Sequence, residues 1–527
     1  MAEKLMFGVE TEWFNAHFAK RPANADRLVP TALRVLMRIG PNLPDGGSGF
    51  FLPDGSRVYA DCGHVEHASC EVSNPADLVA HVKAFERKLV EAAPEIARQL
   101  GGGKVVFARL NVDHLSSSTS YAQHESYLTR RPAPYFAKAL IPFLVSRVVF
   151  CGEGGPAPES TGFLVSPRML HFVAEIGGET VRGRPIFNLR DESLAAPGYF
   201  RLHVICSSTL ASQLALYLKV GFTALVVRCI ELAGESAADR LSLANPVAAL
   251  HQVASDRSCK ERLTLANGAR LTAVEIQIEY LKLVRRYLDR LPDWAPGICD
   301  RLEQVLEALG DDPGRMSKTL DWAIKSFIYS NRPNDGKDEG RDILAALYAA
   351  VRSTAFGESR PSLAFLLGPS SPVLDTVARL NEDLVRRKLR WQDLKLHNSE
   401  ALRMAEIDTR FGVLGDGIFD QLDRRGLLNH RLLAEERVEH AVWHAPANTR
   451  ARLRGEIVTR LAGKRNVFCT WTGVFDRANK KYIDLHDPWQ ETEHWASIPV
   501  ENEGTVARGS RLAELLRVAA EGADLPF

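Results

Sequence analysis

The chain has 527 residues, 45% of them hydrophobic and 25% charged, an ordinary globular composition with room for a large domain and at least one smaller one. A formal net charge of +1 gives no general attraction for nucleic acid or an anionic membrane, so neither is expected as a partner. The eight cysteines include no C-x-x-C pair and no signal peptide is evident, which predicts reduced thiols in a cytoplasmic protein; no uninterrupted apolar stretch of bilayer length is expected.

The first predicted element is a strand, Phe7–Trp13, reading F-G-V-E-T-E-W. Residues two apart in a strand share a face, so Glu10 and Glu12 project together. Two such carboxylates either bind a divalent cation or sit solvated on a half-exposed edge strand. A helix is expected over Leu28–Ile39, then a Gly/Pro-rich loop to Gly49 and a hairpin turning at Asp54-Gly55. Tyr59 and Asp61 alternate onto one face of the second hairpin strand; His64 and Glu66 share the next, and Glu71 follows. Asn74-Pro75 starts a helix running to about Ala93, with Asn74 as its cap.

Val105–Asp113 alternates as a strand with Arg109, Asn111 and Asp113 on its polar face. His124 and Glu125 lie in a segment returning as a strand. Arg182, Arg184 and Arg190 form a fork of guanidiniums suited to phosphate oxygens, and Arg201 and His203 share a strand face. Polar-faced strands recurring in this way predict an α+β fold: an antiparallel sheet with one functional face and helices packed on the other. Ser207–Ala233, apolar on nearly all sides and closed by Gly234, is the expected core helix behind that sheet. A capping box at Thr272-x-x-Glu275 opens another helix, and a further one is expected over Asp321–Ile328. Residues 1–404 are assigned to the large domain, with 330–400 as its insertion, and 405–527 to a small C-terminal α+β domain. In that small domain a helix capped by Asn448 sets Arg450 and Arg454 one turn apart; a hairpin over Val467–Leu485 and a tail helix around Arg511–Ala520 follow.

The strings G-V-E-T-E, R-V-Y-A-D-x-x-H-x-E, H-E-S-Y-L, R-x-R-P-I-x-N-x-R-D-E, R-L-H-V-I, Y-L-K-V-G-x-T-A-L-V, D-W-x-x-K and T-R-A-R-L-R-G-E occur in this order. In this the chain resembles the Pup ligase and depupylase family, relatives of glutamine synthetase, over nearly its whole length apart from about 330–400. The resemblance implies a curved antiparallel sheet cradle holding ATP and Mg2+. It implies a catalytic role for Asp61 and metal or phosphate positions at Glu10, Glu12, Tyr59, Glu66, His124, Glu125 and His203. It further implies nucleotide contacts from Arg184, Arg190, Arg201, Arg450 and Arg454.

The chain departs from the family where G-D-x-N-M-S-E becomes a stretch ending at Gln213, with Ser208, Leu210 and Gln213 at an acidic, an amide and a second acidic position. H-P-E-Y becomes H-V-E-H, with Val65 and His67, and the family's Y-H-D string before G-I-F-D is lost. These changes point to retained ATP chemistry with a changed acceptor, determined by the altered residues Ser207–Gln213 and by 330–400. Three functions are carried forward. One is ATP- and Mg2+-dependent phosphoryl transfer to a carboxylate for ligation, or to a small-molecule or nucleotide acceptor. The second is a nucleotide-dependent amidase or isopeptidase, and the third a non-catalytic nucleotide-binding partner. A Pup-like protein C-terminus is among the candidate acceptors.

Overall fold

The computed structural model describes residues 4–19, 21–112, 120–157, 162–331 and 399–497. The strands are β1 (Phe7–Phe18), β2 (Leu43–Pro44), β3 (Phe50–Phe51), β4 (Arg57–Asp61), β5 (His64–Ala68), β6 (Lys104–Ala108) and β7 (Gln123–Thr129). They continue with the short pair β8 (Gly155–Pro156) and β9 (Phe163–Leu164), then β10 (Phe172–Gly177), β11 (Arg184–Asn188) and β12 (Phe200–Val204). The main sheet runs β12-β7-β1-β5-β4-β3-β2, with β6 paired to the second half of β1, and every pairing in it is antiparallel. The separate ribbon β10–β11, which carries Arg184 of the arginine fork, is parallel.

Strand alternation gives the sheet two chemically different faces. In β1, Phe7, Val9, Thr11 and Trp13 are buried on one side, while Gly8, Glu10 and Glu12 on the other are only partly covered. The apolar side packs on helices. Phe7 and Val9 join the core around the helix Gln213–Ala233, and Trp13 joins Phe85 and Leu89 of the helix Pro75–Gln99. Asn74 caps that second helix through Ala76 N, and the helix runs on through Pro94, six residues past the expected end. The core helix starts at Gln213, not Ser207, and Ser212 accepts from Ala215 N as its cap. It has the length and hydropathy of a membrane span, but 78% of its apolar window is buried inside the protein. The capping box at Thr272 and Glu275 forms as the spacing predicts.

The C-terminal part has the helix Arg450–Leu461 and a four-stranded antiparallel sheet, Val467–Thr470, Gly473–Asp476, Lys481–Asp484 and Trp495–Ser497. Its cap is Thr449, whose hydroxyl accepts from Ala451 N; Asn448 precedes it in a left-handed conformation. Leu43 and Phe51 of the main sheet complete this unit's core with Leu453, Ile457 and Ile483. The expected boundary at 404/405 falls inside the helix Ser399–Gly412. The tail helix and nearly all of the 330–400 insertion lie outside the described residues.

Candidate active site

Directly opposed residues of an antiparallel pair project to the same side. Glu10 faces His124 and Ala68, Glu12 faces Glu66, Glu66 faces Tyr59, and Asp61 faces His64. On the other flank His203 faces Ser126 and Arg201 faces Leu128. The register therefore gathers Glu10, Glu12, Tyr59, Asp61, Glu66, His124, Arg201 and His203 on one face. At its centre an oxygen of Glu10 and ring nitrogens of His124 and His203 lie within 4.8 Å of one another.

The electrostatics suit a cation. Burial pushes the Glu10 and Glu12 carboxyls up, opposed chiefly by Arg201 at Glu10 and by Arg168 at Glu12. Burial and then the neighbouring Glu10 raise Glu66 to about 8. Burial holds His124 down to about 3, helped by Arg168, and burial with His124 drives His203 well below its ordinary value. Neutral imidazoles offer lone pairs, and crowded carboxylates in a low-dielectric site gain most from a divalent ion. The oxygens of Glu10, Glu12 and Glu66 suit Mg2+, while the imidazoles also admit softer ions such as Mn2+.

Three expected ligands need correcting or refining. Glu125 opposes Val9 and Val204, so it points to the helix side of the sheet. There, fully buried, it pairs with Arg147 at 2.8 Å and accepts from Tyr127. It is a counter-ion in the core, not a metal ligand. Tyr59 stands opposite Glu66, and burial and then Glu66 push its phenol well up, so it stays neutral beside the site. Arg454 is fully buried, bound to Glu71 and donating to Gly55 O at 3.0 Å. It fastens the small domain to the sheet and does not face the cluster.

The remaining arginines surround the site unequally. Arg201 lies 3.6 Å from both Glu10 and Glu192. Arg184 donates to Thr180 O at 2.9 Å and is attracted by Glu12. Arg190 is exposed and paired with Glu192 at 2.8 Å. Arg450 donates to Glu71 at 2.7 Å, and it lines a cavity of about 110 Å³ with Glu10, Arg201, Leu194, Trp471 and Pro488. That cavity joins the Glu10 end of the cluster to an apolar wall from the small domain. Asp61 is exposed at the end of β4, where the turn Cys62-Gly63 has positive φ at both residues.

The departures at Ser207–Gln213 do not face the cluster, contrary to expectation. Ser208 donates to the buried Glu153 at 2.7 Å, Leu210 is fully buried, and Gln213 accepts from Leu432 N at 2.8 Å. They repack the region behind the sheet. Arg109 is likewise withdrawn, held by Glu86 and Asp420. Arg168 and Trp471 escaped the sequence reading, since nothing beside them in the chain signals the site.

A polar-faced antiparallel sheet, a carboxylate–imidazole cluster and a cavity closed by a second α+β unit define a nucleotide-handling enzyme class. The family model of the Pup-ligase protein matches residues 9–348 and 377–475. The chain belongs to the Pup-ligase family. The depupylase of Acidothermus cellulolyticus is 41% identical over 304 residues, 55% of this chain and 60% of that protein. The Pup deamidase/depupylase of Mycolicibacterium smegmatis is 33% identical over 84% of this chain and 78% of its own length. The Pup–protein ligase of Rhodococcus erythropolis is 30% identical over 93% of this chain and 95% of its own length. Among solved structures, the Pup ligase PafA in complex with ADP has a TM-score of 0.61 at 26% identity, over 84% of this chain and 87% of that one. PafA in complex with Pup has a TM-score of 0.67 at 24% identity, over 92% and 90%, and shares the fold.

Proposed function

We propose that the chain is an ATP- and Mg2+-dependent enzyme that phosphorylates a carboxylate and passes the acyl group to an amine. The single observation carrying this reading is the cluster of Glu10, His124 and His203, with Glu12 and Glu66 on the same sheet face. Phosphoryl transfer demands neutralisation of several oxygens at once, and metal ligands beside Arg201 and Arg184 supply it. Glu10, Glu12 and Glu66 would hold Mg2+, with His124 and His203 at its flank; the ion would polarise the phosphoryl oxygens. Arg201 and Arg184 orient the anion. Asp61 stands exposed at the sheet's rim, placed to take the proton of the incoming amine. An oxygen of the substrate carboxylate bonds to the γ-phosphorus as the bond to ADP breaks. The amine nitrogen then bonds to the acyl carbon as phosphate leaves. The relatives' names point to Pup or a Pup-like protein as the bearer of that carboxylate.

A second reading is an amidase, favoured by the 41% identity to a depupylase over 304 residues. Asp61 would then attack the amide carbon as the amine leaves, and water would release the acid. The deciding experiment is incubation with ATP, Mg2+ and Pup, with and without a lysine-bearing acceptor. ADP formation that requires both carboxylate and amine supports ligation, with Glu10→Gln inactive. Cleavage of a Pup–lysine isopeptide supported equally by a non-hydrolysable ATP analogue would replace it with the amidase.

A further inference from the structure

Arg168 lies in the short turn Pro167–His171 between β9 and β10, only 1% exposed. Among the described residues it makes no ion pair, although a buried guanidinium without a carboxylate is costly. Its donors all go to neutral oxygens. Nε meets Ser207 O at 2.8 Å; one terminal nitrogen meets Ser120 Oγ at 2.7 Å and Tyr121 O at 2.8 Å; the other meets Ile205 O at 3.3 Å. Its own backbone N–H donates to Glu153 at 2.8 Å, and Glu153 is the carboxylate that accepts from Ser208.

The peptide between Tyr121 and Ala122 connects this cation to the candidate site. Its carbonyl accepts from Arg168, and its N–H donates to Glu12 Oε2 at 2.9 Å. The Glu12 N–H returns a bond to Ala122 O at 3.0 Å, fixing the strand beneath the carboxylate. A carbonyl held by a cation polarises its own amide, so the same peptide's N–H becomes the stronger donor. Arg168 thus acts on Glu12 through one peptide plane without touching it.

We propose that Arg168 is a positioning residue: through the Tyr121–Ala122 peptide it fixes and electrostatically supports the Glu12 carboxylate for cation binding. The altered stretch at Ser207–Ser208 then matters to the site indirectly, as part of the frame that holds Arg168. The inference rests on Glu12 being a metal ligand, as in the proposed function.

The test is a double-mutant cycle on Mn2+ affinity, read by titration of the full-length protein with ATP present. Removal of a group that orients a ligand lowers metal affinity roughly 10- to 100-fold. Arg168→Met is expected to weaken Mn2+ binding by about tenfold or more, and this loss should vanish in a Glu12→Gln background. Arg168→Lys, which keeps the charge, should restore part of the affinity. If Arg168→Met does not fold, the same cycle is run with Arg168→Lys. Equal losses in the presence and absence of Glu12, or unchanged affinity in a folded Arg168 variant, overturn the relay and leave the metal reading intact. Failure of the wild type to bind Mn2+ overturns both.

Discussion

At the scale of single residues, the clearest consequence concerns Glu125. Its carboxylate meets both terminal nitrogens of Arg147, at 2.8 and 2.9 Å, and Arg147 also reaches Thr223 and Cys206 O. Removing one member strands a buried charge, which costs roughly 3–5 kcal/mol. Glu125→Gln should therefore lower the unfolding free energy by about that amount in urea, while the folded protein keeps its Mn2+ affinity. Weakened Mn2+ binding at unchanged stability would return Glu125 to the site. His67 makes the opposite case. Its ring stacks on Phe85 with centroids 3.8 Å apart, and among the described residues neither ring nitrogen has a hydrogen-bond partner. Burial holds the ring neutral, down to about 3. An apolar ring of similar shape removes the unmet polar groups, so His67→Phe should stabilise by roughly 1 kcal/mol in the same urea assay. A loss of stability would mean the nitrogens have unseen partners. The period of two in the sequence was enough to pair Glu10 with Glu12. The same rule already separates adjacent His124 and Glu125, so treating both as ligands overrode a signal that was present. Arg168 had no such signal, because its partners come from segments around residues 121 and 206.

At the scale of elements, the β4–β5 hairpin sets Asp61 at the sheet's rim. The two-residue connection Cys62-Gly63 needs positive φ at both positions, and they adopt 46° and 82°. Glycine takes this readily, but cysteine does not; asparagine is the favoured side chain at the first position of such a turn. Cys62→Asn should stabilise the protein by roughly 0.5–1 kcal/mol, seen as a higher melting temperature. A lower one would show that the thiol contributes more than the strain costs. Local chemistry made several elements legible: the Asn74-Pro75 start, the Thr272–Glu275 box and the Asp54-Gly55 turn are all short-range signals. The start of the core helix was not. Residues 207–212, reading Ser-Ser-Thr-Leu-Ala-Ser, fall within the expected helix, yet Asp321 takes the N–H groups of Ala211 and Ser212 at 2.6 and 3.2 Å. That long-range partner holds the chain out of the helix until Gln213.

At the scale of the whole molecule, one carboxylate joins the small domain to the sheet. Arg450 and Arg454, one helical turn apart, both bind Glu71 just beyond β5, and Thr449 Oγ1 donates to Glu71 O at 2.8 Å. Arg450 also reaches Leu194 O at 2.8 Å and Leu485 O at 2.6 Å, so the cavity wall converges on the same ion group. Gly55 completes the contact, since a Cβ there would meet Ala451 O at 2.9 Å. Arginine spacing along the helix was readable in the sequence; the glutamate almost 380 residues earlier that claims them was not. Burial alone would raise the Glu71 carboxyl, but Arg454 and then Arg450 overcome it and hold it at about 2. A carboxyl held low in the folded state contributes stability above its unfolded value near 4.5, lost as pH falls toward 2. By linkage the contribution is ~3 kcal/mol. Glu71→Gln should therefore cost about 3 kcal/mol at pH 6 in urea denaturation, and the gap from the wild type should shrink steadily below pH 4.5. A gap that stays constant down to pH 3 would mean that shape, and not charge, attaches the small domain.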